Sequence, residues 1–160
     1  MSEFSMQSIG EIRTPFKERA GMPIQPAGAN GCAGRVEILP EFREGLDDLD
    51  GFSHAILLYV FHRSTGYKMK VKPFLDDCER GLFATRAPRR PNPIGMSVVR
   101  IERIENGILH VQNVDMLDHT PLLDIKPYVP DFDAGEQIRL GWLQEARKRV
   151  VSHRSDKRFV

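Results

Sequence analysis

The sequence predicts a mainly β fold: a small antiparallel β-barrel with short helices and a helix available to its C-terminal end. Three observations carry that expectation. The apolar runs are short and are bounded by Pro, Gly and Asn turns. They do not alternate with long helical periods, as a nucleotide-binding α/β sheet requires. Two of them flank Asn106-Gly107, the strongest short-range hairpin signal. A chain of 160 residues with 41% hydrophobic content can bury one core. We expect the barrel over 1–141 and a basic tail over 142–160.

Gln7 to Arg13 reads as a short strand stopped by Thr14-Pro15. Lys17 to Gly34 is longer than a plain connection and is a candidate functional loop. Its glycines at 28, 31 and 34 precede a strand, Arg35 to Leu39, rather than a helix, so they are not a phosphate-cradling loop. Pro40 to Leu49 suits a short amphipathic helix, with Phe42, Leu46 and Leu49 at helical spacing and Gly51 closing it. Phe52 to His62 is apolar on both faces through its middle, which predicts a central strand covered on two sides. His54 and His62 share a face of that strand but stand roughly 26 Å apart at about 3.3 Å per residue, so they share no metal. His54 reads as a partly buried, hydrogen-bonded histidine, while His62, at the exit, can face a ligand. Lys68 to Pro73 is a further strand and Asp76 to Gly81 a polar link. Met96 to Glu105 and Ile108 to Met116 form the hairpin. Apolar alternation slips between Ile101 and Ile104 and between Val111 and Val114, which predicts bulges or a second buried face. Leu122 to Lys126 is the last strand, ended by Pro127.

Charge and cysteine usage exclude several classes. Lys plus Arg number 23 against 22 Asp plus Glu, so no global field argues for nucleic acid and any basic patch is local. Cys32 and Cys78 form neither a disulfide framework nor a C-x-x-C motif. No signal peptide and no long apolar span is apparent, which leads us to expect a cytoplasmic protein without membrane or metal. After Trp142 the chain carries six basic residues against two acidic, a local patch that suits either a phosphate-touching arm or a solvated terminal helix.

The segment from Phe83 to Gly95 is the one stretch whose composition core packing does not explain. Pro88, Pro91 and Pro93 fix their own φ and push Ala87, Arg90 and Asn92 out of helical conformations. Arg86, Arg89 and Arg90 ride on that stiff backbone as planar forks suited to carboxylates and phosphates. A soluble surface loop would need the charges but not the prolines. A second polar cluster comprises Asp115, Asp118, Thr120, Asp124, Lys126 and Tyr128. In a strand the last three share one face, a ready array of ion pair and phenol for either structure or proton transfer.

Gly-Leu-Phe-Ala-Thr-Arg-Ala-Pro-Arg-Arg-Pro-Asn-Pro-Ile-Gly-Met-Ser, followed by Leu-Leu-Asp-Ile-Lys-Pro-Tyr-Val-Pro, resembles the TsaA/TrmO-like family of S-adenosylmethionine-dependent tRNA methyltransferases. The likeness runs from the initial Ile-Gly-Glu-Ile-Arg-Thr-Pro-Phe-Lys to about Phe132. It implies a β-barrel homodimer that methylates N6 of threonylcarbamoyladenosine next to the tRNA anticodon. It also implies a cofactor site made of Gln25, Pro26 and Ala27, His62 and Arg63, and Arg86, closed by Asp118, His119, Thr120 and Pro121 and lined by Met96. Two positions depart from the family pattern: Ala27 stands where relatives often have glycine, and His119 replaces the glycine of an Asp-Gly-Thr-Pro turn. A histidine enters the left-handed region at a cost glycine avoids, so that turn either shifts or uses the imidazole. Family members with an added C-terminal RNA-binding domain suggest that the basic tail takes over part of its task here.

Methyl transfer is an in-line displacement, so such a catalyst mainly aligns groups and excludes water. Arg86 suits a carboxylate or a phosphate. Asp124 is the candidate for taking the N6 proton, with Lys126 and Tyr128 positioning the base, and His62 is the rival. The reading from a different class is a non-catalytic β-barrel binding RNA or a small anionic ligand.

Overall fold

Gly10–Arg13 (β1) lies close against Ala33–Ile38 (β2) because Gly10 has no side chain: a Cβ there would collide with the Glu37 carbonyl oxygen. The computed structural model describes residues 2–23 and 29–146. The other strands are His54–Val60 (β3), Lys70–Val71 (β4), Arg80–Gly81 (β5), Ile94–Glu105 (β6), Ile108–Gln112 (β7) and Thr120–Pro127 (β8). Among the described residues, six of them close an antiparallel barrel in the order β1-β2-β7-β6-β3-β8, and β8 pairs with β1 to shut it. β4 and β5 form a separate two-stranded piece.

The barrel closes around Ile12, Val36, Leu57, Val99, Leu109, Val111 and Leu122, which have no exposed surface. Strict alternation in β3 puts Ala55, Leu57 and Tyr59 inside and leaves Ile56, Leu58 and Val60 half-buried on the outer face. β3 pairs with β6 and β8, and of the two covered faces the sequence predicts for it, the described residues bury the inner one fully and the outer one in part. The expected bulge in the hairpin falls at Glu102, where the register shifts between Ile101 and Arg103 so that Ile101 and Ile104 both meet core residues of β7. Asn106 and Gly107 make the turn at φ 53° and 77°.

Several elements are shorter than the sequence suggests. β7 stops at Gln112 because Asn113 turns the chain at φ 68°. The helix expected over Pro40 to Leu49 is two 3-10 segments, Pro40–Leu46 and Leu49–Gly51, broken where Asp48 takes φ 64°. The strand expected over Lys68 to Pro73 survives as two residues. The C-terminal helix, Leu143–Ala146, is one turn among the described residues, and residues 147–160 of the basic tail lie outside them. His54 is the partly buried, hydrogen-bonded histidine expected: Ser53 Oγ is 2.8 Å from its Nδ1.

Candidate active site

Strand ends build the site. β3 leaves the barrel through Phe61 and His62, β6 enters it at Ile94 to Met96, and the β7–β8 connection returns past Asp115 and Thr120 at the same end. A cavity of about 690 Å³ opens there, within the ~300–1,000 Å³ of small-molecule sites. Its walls mix aromatic and aliphatic groups, among them Phe61, Phe74, Leu75 and Met116, with the guanidinium groups of Arg19, Arg63, Arg86 and Arg90.

The arginine segment forms one wall, seated on its own small core of Val71, Leu82 and Ala87 with Phe74 packed alongside. Thr85 is buried and stitches the turn, donating to Leu82 O at 2.8 Å and accepting from the Ala87 N–H. The three arginines do different work. Arg90 turns back on the loop, donating to Thr85 O at 2.9 Å and Ala87 O at 3.3 Å, with its guanidinium over the Phe83 ring. It is the clip that holds the rail as much as a hand offered to a ligand. Arg89 is half-buried, and only Arg86 and Arg90 of the three line the cavity. Trp142 docks on the same segment, its indole N–H donating to Ala84 O at 2.8 Å and Arg80 lying 5.7 Å from the ring centre. Arg80 is in turn held by Asp76 at 2.6 Å.

Deep in the cavity, Gly95 faces Tyr59, and a Cβ at that position would strike the phenol ring. The buried Tyr59 hydroxyl lies 2.9 Å from Ser97 Oγ, which donates to Asp115 Oδ1 at 2.5 Å. Because the single Ser97 proton goes to Asp115, Tyr59 is the donor to Ser97. Burial pushes the Asp115 carboxyl up to about 7, against the pull of Ser97 and of Arg86. Burial also raises the Tyr59 phenol, which stays protonated. At the β3 exit, burial and then Arg63 push the His62 imidazole below its ordinary value, so it is neutral near pH 7.

Of the residues singled out from the sequence, His62, Arg63, Arg86, Met96 and Thr120 line the cavity. Gln25, Pro26 and Ala27 lie outside the described residues. Asp118 serves the frame: its Oδ1 accepts from Arg13 Nε and from the Thr14 N–H, each at 3.0 Å. Burial raises its carboxyl, but those donors outweigh it and hold the group below the ordinary range. Pro121 sits opposite Glu11 in the β1–β8 ladder. His119 takes the left-handed conformation at φ 61° and does use its imidazole, with Nδ1 2.8 Å from Glu11 and Nε2 3.4 Å from Asp118. Asp124, Lys126 and Tyr128 are not among the cavity's lining residues. Asp124 and Lys126 pair with each other at 2.8 Å on the outer face of β8, and Tyr128 meets the edge of His54 at 6.3 Å. A bulge explains the placement. Tyr59 pairs with Leu122 but Leu58 pairs with Asp124, so Leu123 is the extra residue and every side chain after it changes face. Tyr59, Ser97 and Trp142 carry much of the site's structure and were missed in the sequence, where Asp115 stood out only as one member of the second polar cluster.

A family model described as the tRNA-methyltransferase O N-terminal domain matches residues 11–134. A probable S-adenosyl-L-methionine-binding protein of Pyrococcus abyssi is 51% identical over 151 residues, covering 94% of this chain and 82% of that one. The tRNA (adenine(37)-N6)-methyltransferase of Escherichia coli is 36% identical over 156 residues, covering 91% of this chain and 66% of that one. Among solved structures, TrmO from Pseudomonas aeruginosa superposes with a TM-score of 0.74 at 43% identity, over 88% of this chain. The chain spans 63% of the length of that TrmO chain.

Proposed function

Because this chain belongs to the tRNA-methyltransferase O N-terminal domain family, we propose that it is an S-adenosylmethionine-dependent enzyme that methylates N6 of adenosine 37 in tRNA. The finer acceptor, as the resemblance implies, is threonylcarbamoyladenosine. The observation that carries the reading is the cavity at the barrel end, whose size, aromatic walls and guanidinium groups fit the cofactor. Flat apolar walls suit an adenine, and Arg86 with Arg63 suits the methionine carboxylate. His62, Met96 and Thr120 border the same space, and the resemblance adds Gln25, Pro26 and Ala27 to the cofactor's partners. Asp118, His119 and Pro121 hold the turn that presents Thr120. Bound there, S-adenosylmethionine supplies a methyl group on a sulfonium centre. The protein's own share is to fix the acceptor in line, exclude water and receive a proton.

The outer sheet supports a homodimer. Ile56, Leu58 and Val60 of β3 lie beside Val98, Met96 and Ile94 of β6, an apolar face with Ile94 and Met96 37% and 44% exposed. The apolar pattern of β3 predicts cover on both sides, and the barrel interior supplies one. A second copy supplies the other. Asp124, Lys126 and Tyr128 border this face, so the role in positioning the base that the sequence suggests for Lys126 and Tyr128 is exercised in the dimer, with Asp124 paired to Lys126 at 2.8 Å. A tRNA-modifying enzyme of this kind works in the cytoplasm, and the basic tail after Trp142 assists tRNA binding.

The test is calorimetric titration of S-adenosylmethionine into the purified protein. Micromolar binding, about 8 kcal/mol, that Arg86→Ala weakens at least tenfold supports the reading. Absence of binding by folded protein at high concentration overturns it in favour of an RNA-binding barrel.

A further inference from the structure

The geometry points to Asp115 as the catalytic residue that takes the proton from the acceptor nitrogen, held for that task by Ser97 and Tyr59. This inference rests on the methyltransferase reading above and assigns a part of the reaction that the reading leaves open.

Among the described residues lining the cavity, Asp115 is the sole carboxyl group, against Arg19, Arg63, Arg86 and Arg90. A cavity that only held an anionic ligand would gain nothing from a carboxylate sunk among its guanidinium groups, and burying one costs free energy. This one is nonetheless supported. Ser97, inward-facing on β6, donates to it, and Tyr59, inward-facing on β3, donates to Ser97, so one carboxylate oxygen is fixed by side chains locked in the barrel wall. The charged group acting on it from the arginine segment is Arg86, and the other titratable group lining the cavity beside the arginines and Tyr59 is His62, at the β3 exit.

The chemistry needs such a group. The lone pair of an exocyclic adenine nitrogen is delocalised into the ring, and the nitrogen cannot keep both its hydrogen and a new methyl group without becoming cationic. In the balanced step a bond forms between N6 and the methyl carbon while the methyl–sulfur bond breaks and leaves its electron pair on sulfur. The N6 proton passes to Asp115 Oδ, the carboxylate becomes a carboxylic acid, and solvent later takes the proton. A carboxyl poised near neutrality is suited to that exchange, since a group of ordinary acidity would hold the proton too weakly. His62 is the poorer base, because its own burial and the neighbouring arginines depress its affinity for a proton.

The experiment has three readouts on the full chain: ¹³C-carboxyl titration of Asp115 in the free protein, calorimetric affinity for S-adenosylmethionine, and single-turnover methylation of tRNA against pH. The wild-type rate should climb tenfold per pH unit and level off near the midpoint of the carboxyl titration, about pH 7. Asp115→Asn should lower that rate at least 100-fold while leaving cofactor affinity within threefold. Ser97→Ala removes a contact that favours the ionised form, so it should move the carboxyl midpoint and the rate profile together to higher pH. A merely structural Asp115 would not couple the two curves. The inference is overturned if Asp115→Asn keeps the wild-type limb, or if its loss lies wholly in cofactor affinity, which would make Asp115 an anchor for the cofactor's ammonium. If wild-type protein binds cofactor but methylates no tRNA, the acceptor assignment itself fails and takes this inference with it.

Discussion

At His119 two effects oppose each other. A left-handed backbone costs a residue with a Cβ about 1–2 kcal/mol, and the imidazole offsets part of that through Glu11 and Asp118. The side chain is 54% exposed, so those contacts are screened and are each worth less than the backbone term. His119→Gly should therefore stabilise the protein by up to about 1 kcal/mol in urea unfolding, and a loss of stability would show that the imidazole pairs dominate. Two carboxyls give pH dependences of opposite sign. Asp118 is held below its ordinary value, so its contribution is present near neutrality and is lost as pH falls through its folded value. Asp115 is raised to about 7, so its contribution is full below pH 4 and is lost as pH rises through 7. Asp115→Asn should remove that second slope and make the protein more stable than wild type at pH 8, by roughly 2 kcal/mol, as judged by urea midpoints at pH 5 and pH 8. Neither carboxyl's part could be read from its neighbours in sequence. Asp115 and Asp118 sit three residues apart in one polar run, and only the closure of β8 on β1 sends one to the cavity and the other to Arg13.

The hairpin was legible because its information is local. Asn106-Gly107 sets its own φ values, and the slip between Ile101 and Ile104 announces a bulge that needs no distant partner. Gly107→Val should destabilise the protein by about 1–2 kcal/mol, since a β-branched residue resists φ 77° and would press on Arg43. Affinity for S-adenosylmethionine should be unchanged, because the turn lies at the opposite end of the barrel from the cavity; a parallel loss of affinity would contradict that separation. β8 was legible only in half. Period two places Asp124, Lys126 and Tyr128 on one face, but the face itself is decided by the bulge at Leu123, which exists because β3 pairs Tyr59 with Leu122 and Leu58 with Asp124. That is a property of the neighbouring strand. The 3-10 character of Pro40–Leu46 was hidden for a similar reason, since helical spacing does not distinguish it from a short α-helix.

For the molecule as a whole, neutrality in sum conceals a sharp local asymmetry: among the described residues, four arginines and one carboxyl border a single cavity. The family resemblance made the fold and the activity readable together, and of the residues it implies for the cofactor, His62, Arg63, Arg86, Met96 and Thr120 border that cavity. The proposed pairing of two copies rests on the apolar pattern of β3. Leu58→Glu places a charge on the apolar outer face and beside Asp124, so it should convert the proposed dimer to monomer in light scattering at micromolar concentration while the circular dichroism of the barrel persists. A wild-type protein that is monomeric under those conditions would remove the basis for the second cover.

Trp142 is the chain's one tryptophan, and it sits on the cavity rim between Ala84 and Arg80. The protein thus carries an intrinsic optical reporter at the edge of the proposed binding cavity. Its emission should shift or quench on titration with S-adenosylmethionine, and the same signal, followed by stopped flow, would time the arrival of tRNA without any label. An unchanged spectrum at saturating cofactor would mean that the rim does not feel the ligand.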